Sequence, residues 1–161
     1  MLIRPATSDD AEATAAIYNL EVQTSDVTFD LVPRTLDEQR AWMDARSGAL
    51  EVIVAEVEGR VAGFASLSTY RERAAYRGTV EDSVYVSQDA RGQGVGRALL
   101  TGIIDVASAR GFHTVIGRVV GGHDVSIALH RAAGFDHVGV EREVGRKFGR
   151  WLDVVVMQKL L

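Results

Sequence analysis

The 161 residues predict an α/β fold in the order β-α-α-β-β-β-α-β-α-β-β, mostly antiparallel at first, with a β-α-β unit later. Two observations carry this. The apolar runs Glu51 to Val57 and Arg60 to Tyr70 meet at Glu58-Gly59, a tight hairpin signal. A β-branched and aromatic run, Thr79 to Val86, passes through a glycine-rich turn into a segment with Leu99, Leu100, Ile103, Ile104 and Ala107 at helical spacing. With no internal repeat and no low-complexity stretch, a single domain over residues 1–161 is expected.

In chain order, Leu2 to Arg4 reads as a first strand. Ser8 or Asp9 is positioned to cap a helix through about Val22, with Ala13, Ile17 and Leu20 on one face. Thr24 to Pro33 is polar and loop-like but contains Phe29, which reads either as a plug at the edge of the core or as a wall of a substrate pocket. Thr35 or Asp37 opens a second helix through Trp42 to about Arg46. After the hairpin come the charged and aromatic stretch Arg71 to Arg77, the strand Thr79 to Val86 and a helix from Val95 to about Ala109, ended by Gly111. Thr114 to Val120 is a strand, Asp124 to Ala133 a helix with Gly134 as its stop, and two strands follow, about His137 to Val144 and Trp151 to Lys159.

Composition bounds the function. Lys+Arg 18 against Asp+Glu 22 gives a net charge of -4 with no basic block, which argues against nucleic acid as the main partner. The absence of cysteine excludes disulfides, thiolate metal sites and a cysteine acyl intermediate, and no metal is expected. Residues 1–7 lack an apolar signal core, and no run of ~18 apolar residues suggests a membrane span. The expectation is a soluble, cytoplasmic protein.

The stretch Val84 to Leu100 points to chemistry. Gly92, Gly94 and Gly96 remove side chains where backbone must approach a ligand. The first turn of the following helix offers unpaired amides and partial positive charge, a cradle for phosphate or pyrophosphate. A dinucleotide fingerprint needs glycine where Arg97 stands, and a triphosphate loop needs a Gly-Lys-Ser/Thr that is absent. The letters that do match, Arg91, Gly94 and Gly96, fit Arg/Gln-x-x-Gly-x-Gly/Ala, and on them the chain resembles the GNAT superfamily of acetyl-CoA-dependent N-acetyltransferases. The resemblance implies the GNAT fold, a mixed central sheet whose adjacent central strands splay to admit the pantetheine arm.

Narrower segments, among them Thr79-Val80-Glu81-Asp82-Ser83-Val84-Tyr85-Val86 and Lys147-Phe148-Gly149-Arg150-Trp151-Leu152-Asp153, look like the phosphinothricin and methionine sulfoximine N-acetyltransferases. That branch implies acetylation of the α-amino group of small amino-acid analogues, and a homodimer. Acetyl transfer to an amine needs a base, a stabilised oxyanion and a proton for the departing thiolate. Glu81 stands where the resembling enzymes place their base; alternatively it is a strand-face carboxylate in a salt bridge, with Asp82 on the opposite face as its control. His130 stands where the resemblance places a general acid, a tyrosine in many members of the superfamily and a histidine in this branch, although a lone helical histidine also serves structure.

For acetyl-CoA the resemblance implies Val84, Tyr85 and Val86 in strand fashion, and the turn Arg91, Gly92, Gln93, Gly94, Val95, Gly96 and Arg97. His123 replaces the family's asparagine as a cofactor contact, or caps the helix jointly with Asp124. Arg71 and Arg73, whose forks suit carboxylate and phosphinate, join Phe29 and Tyr76 around the substrate; alternatively the arginines are a solvated charge run. Here Arg71-Glu72-Arg73 replaces a more proline- and aromatic-rich loop, and Glu72 adds negative charge beside an anionic substrate. Lys147, Phe148 and Trp151 complete a pocket, from the same or the partner subunit, or close the last hairpin. Two alternatives remain: another small amine or amino acid as acceptor, and a non-catalytic acetyl-CoA-binding protein.

Overall fold

The computed structural model describes residues 1–46 and 48–161. Its seven strands are β1 (Leu2–Pro5), β2 (Val52–Val57), β3 (Arg60–Thr69), β4 (Thr79–Val86), β5 (Thr114–Val120), β6 (Asp136–Lys147) and β7 (Arg150–Leu160). They form one mixed sheet in the order β1-β2-β3-β4-β5-β7-β6, in which β4 and β5 are the parallel pair. Helices α1 (Ala11–Thr24) and α2 (Leu36–Asp44) cover one face, and α3 (Val95–Ala109) and α4 (Asp124–Ala132) the other.

The larger core lies under α3, where Leu99, Leu100, Ile103 and Ala107 are fully buried against Ile53, Leu67, Val80 and Val115. Each leucine or isoleucine taken from water there contributes about 2 kcal/mol. Across the sheet, Tyr18 and Val22 of α1 pack on Val54 and Phe64, with Tyr85 stacked on Phe64 at 5.3 Å. Both hairpin turns, Glu58-Gly59 and Phe148-Gly149, place two successive residues at positive φ, the geometry that matches strand twist.

Three expectations, two at element ends and one on a helix face, are corrected. The first helix is entered from Thr7 rather than Ser8 or Asp9: the Asp10 carboxylate accepts from the Thr7 N–H at 2.8 Å, and Ser8–Asp10 form a 3-10 turn. Its buried face runs through Ala11, Thr14, Ala15, Tyr18 and Val22, so Leu20 is exposed; the polar Thr14 is buried because its hydroxyl bonds back to the Asp10 carbonyl at 2.9 Å. The last hairpin extends to Lys147 and Arg150, since Gly145 and Lys147 are buried against the loop after α1.

Candidate active site

One break in the sheet organises the site. β4 and β5 pair from Thr79 with Thr114 to Asp82 with Gly117 and no further, although β4 continues to Val86 and β5 to Val120. On its other side β4 stays paired with β3 as far as Gly63 with Val86, and β5 turns to β7 as far as Val120 with Val154. The strands therefore part in a V, and β4 backbone groups between Ser83 and Val86 that face β5 lack a strand partner there. At the open end β4 runs into the turn Arg91 to Gly94, where Gly92 and Gly94 have φ of 74° and 83°, and α3 begins at Val95 with no side-chain cap. A Cβ at Gly94 would meet nothing within 4 Å, so backbone conformation, not crowding, demands glycine.

At the vertex, Glu81 pairs in register with Ser68 and Ile116, on the α1 face. Burial raises the pKa of its carboxyl, the Arg118 guanidinium opposes this, and the negative charges of Asp82 and Glu141 add to it. Arg118 is itself paired with Glu141, and Ser68 accepts from Arg46 Nη2 at 2.9 Å. Arg118, Ser68 and Arg46 were not singled out in the sequence; an arginine inside the apolar strand Thr114-Val115-Ile116-Gly117-Arg118-Val119-Val120 was the available signal.

Asp82 faces the other side, where its Oδ2 lies 3.0 Å from His130 Nε2 and His130 Nδ1 lies 2.8 Å from the Ser126 carbonyl. The expected base and proton donor thus flank the vertex from opposite faces. His123 stands at the start of α4, exposed, and makes no side-chain cap bond; its carbonyl accepts from Ser126 and Ile127, so the expected joint cap is backbone only. Arg91 reaches back to the buried Glu21 of α1 and so ties the glycine turn to that helix. Gln93 bonds the Asp89 carbonyl at 2.8 Å, while Val95 is buried and Arg97 exposed.

The loop after β3 lies at the vertex end of β4, since Thr69 pairs with Val80. Tyr76 packs edge-on to Tyr70 at 5.5 Å, and the Arg71 guanidinium lies over both rings. Arg71, Glu72 and Arg73 are exposed and form no ion pair among the described residues. Phe29 packs against the last hairpin, its ring filling the space above Gly145 of β6, and beside it the buried Lys147 donates to the Thr28 carbonyl at 2.8 Å. Burial lowers the Lys147 pKa, and the charges of Asp26, Asp30 and Glu21 offset part of that. Phe148 and Trp151 remain more than half exposed.

The acetyltransferase (GNAT) domain family matches residues 3–156. The chain is 40% identical over 158 residues to the L-methionine sulfoximine/L-methionine sulfone acetyltransferase of Pseudomonas paraeruginosa, spanning 97% of this chain and 92% of that one. A phosphinothricin acetyltransferase structure from Sinorhizobium meliloti, in complex with AcCoA, is similar with a TM-score of 0.96 and 39% identity, over 99% of this chain and 88% of that one. A ribosomal-protein-alanine N-acetyltransferase structure from Brucella melitensis is similar with a TM-score of 0.98 and 42% identity, over 100% of both chains.

Proposed function

The chain belongs to the GNAT acetyltransferase family, and on that premise we propose that it acetylates the α-amino group of a small amino-acid analogue such as phosphinothricin, methionine sulfoximine or methionine sulfone. The observation that carries this reading is the V between β4 and β5, with Glu81 at its vertex and the glycine turn at its open end. The unpaired backbone of the V and the positive-φ turn fit a peptide-like arm ending in pyrophosphate. Acetyl-CoA, when bound, supplies an acyl group activated as a thioester.

The residues divide the work. Backbone groups of Val84, Tyr85 and Val86 hold the arm, and the amides from Gly92 to Arg97 hold the phosphates, with Arg91, Gln93 and His123 at the rim. Glu81 takes a proton from the α-ammonium, directly or through water, and its raised pKa moves a carboxylate toward the range where a base is effective near neutral pH. His130 returns a proton to the departing thiolate. Arg71 and Arg73 meet the anionic groups of the acceptor, Glu72 limits how much negative charge the loop tolerates, and Tyr76 and Phe29 form apolar walls. The protein acts in the cytoplasm as a homodimer, and the exposed Val138, Val140 and Val144 of the edge strand β6 supply apolar surface for the second copy.

A second reading keeps the chemistry and changes the acceptor. Glu72 in the substrate loop and the likeness to an enzyme named for ribosomal-protein alanine favour testing it. The decisive assay is thiol release from acetyl-CoA with phosphinothricin, methionine sulfoximine, methionine sulfone, ordinary amino acids, spermidine and an alanine-starting peptide. Saturable turnover on the analogues is expected, falling about 100-fold or more in Glu81→Gln with acetyl-CoA binding retained. Activity confined to another amine overturns the acceptor and keeps the chemistry. Full activity in Glu81→Gln overturns the base.

A further inference from the structure

Asp82 is a buried carboxylate at the last position where β4 pairs with β5, and the acid–base scheme above gives it no task. Its side chain is 1% exposed and that of its partner His130 6%. The hydrogen-bond pattern fixes the proton count. Ser126 offers a carbonyl, which only accepts, so Nδ1 carries a proton. The contact between Nε2 and Asp82 Oδ2 at 3.0 Å holds a second proton. Asp82 Oδ1 has no hydrogen-bond partner among the described residues, so the charge of the carboxylate is met by the imidazole alone.

Space fixes the ring as tightly as the bonds do. A Cβ built on Gly117, the residue paired with Asp82 across the vertex, would lie 2.8 Å from His130 Cδ2, 3.0 Å from Nε2 and 3.3 Å from Asp82 Oδ1. Gly117 is thus the vacancy into which the pair fits, and Phe135 closes the ring edge-on at 5.0 Å. Of the charged groups on this face, Asp82 comes from β4, β5 presents Gly117, and Lys159 of β7 has its Nζ beside Gly134 after α4. Glu81 lies across the sheet. Burial opposes a charged imidazole, but the hydrogen bond and charge of Asp82, with the Ser126 carbonyl, outweigh it and raise the His130 pKa.

We propose that Asp82 is the positioning residue for His130, fixing its ring beneath Gly117 and keeping a proton on both its nitrogens at the point where β4 and β5 part. The proposal rests on the reading of His130 as proton source for the thiolate. When the Nε2 proton passes to the departing thiolate, the N–H bond breaks as an S–H bond forms, and the ring lone pair left against the Asp82 carboxylate is relieved when Nε2 takes a proton from water.

Nitrogen NMR of the imidazole, recorded on the protein without ligands, tests this. In the wild type both His130 nitrogens are expected to be protonated below a midpoint that lies above the ordinary value of about 6.5. A midpoint at or below that value overturns the proposal with no variant required. In Asp82→Asn only Nδ1 is expected to keep its proton, with a midpoint below the wild type's, and kcat is expected to fall about tenfold or more while KM for acetyl-CoA changes less than about twofold. An unchanged ring overturns the proposal even if kcat falls. A ring that loses its proton with normal kcat overturns His130 as proton source and, with it, the catalytic sense of the proposal.

Discussion

At Asp10, a 5% exposed carboxylate gathers the N-terminus: Arg4 donates to both of its oxygens, at 2.8 and 2.9 Å, and Thr7 donates its N–H at 2.8 Å. The Arg4 hydrogen bonds lower its pKa below the usual carboxylate value against the cost of burial, with Thr7 assisting. A carboxyl whose folded pKa is depressed contributes stability that is present above its unfolded value, about 3.9, and lost as pH falls through the folded value. Asp10→Asn should therefore cost about 2 kcal/mol at pH 7, and the gap to wild type should close as pH falls below about 4. Urea unfolding at both pH values measures it, and an equal gap at both would remove the charge from the explanation. Glu81 shows the opposite environment, since desolvation there outweighs Arg118 and lifts the pKa. The two carboxylates thus differ by what meets them, a difference the letters Asp and Glu do not contain.

Between elements, the last hairpin and the loop after α1 hold each other. Lys147 reaches the Thr28 carbonyl across 119 residues of chain, and Phe29 occupies the space that a side chain at position 145 would need. A Cβ at Gly145 would fall 2.2 Å from Phe29 Cε2, whereas one at Gly139 on the same strand meets nothing within 4 Å. Gly145→Ala should therefore displace the Phe29 ring and cost about 1–3 kcal/mol, with Gly139→Ala nearly neutral. If Phe29 walls the acceptor pocket, Gly145→Ala should also raise KM for the acceptor without raising that for acetyl-CoA. Melting temperatures and the two KM values check this, and similar effects from both substitutions would count against the Phe29 contact. The strands and helices themselves were legible, because glycines and period-2 or helical spacing punctuate them: β4, β5 and α3 lie at the boundaries the pattern predicts. The ties of Lys147 to Thr28, Arg91 to Glu21 and His130 to Asp82 were not, since each joins residues 48 or more apart and is set by packing.

Across the whole molecule, the sheet has two edges of different character. β1 is short, pairing only Leu2 to Pro5 with β2, while β6 runs for 12 residues and leaves Val138, Val140 and Val144 about half exposed or more. A long edge strand with apolar side chains invites pairing or cover. The β6–β7 hairpin also carries Phe148 and Trp151, both exposed, and Lys147, which anchors the Phe29 loop, so cover on β6 would be transmitted toward one wall of the proposed pocket. If the proposed homodimer forms through β6, Val140→Lys should shift it from dimer to monomer in sedimentation equilibrium at micromolar concentration. Because the Glu81 vertex and glycine turn lie on β4 and α3, away from that edge, the monomer should keep acetyl-CoA affinity while its acceptor KM rises. Wild-type protein that sediments as a monomer would leave the valines of β6 without a partner copy, and the wall would then belong to one chain alone.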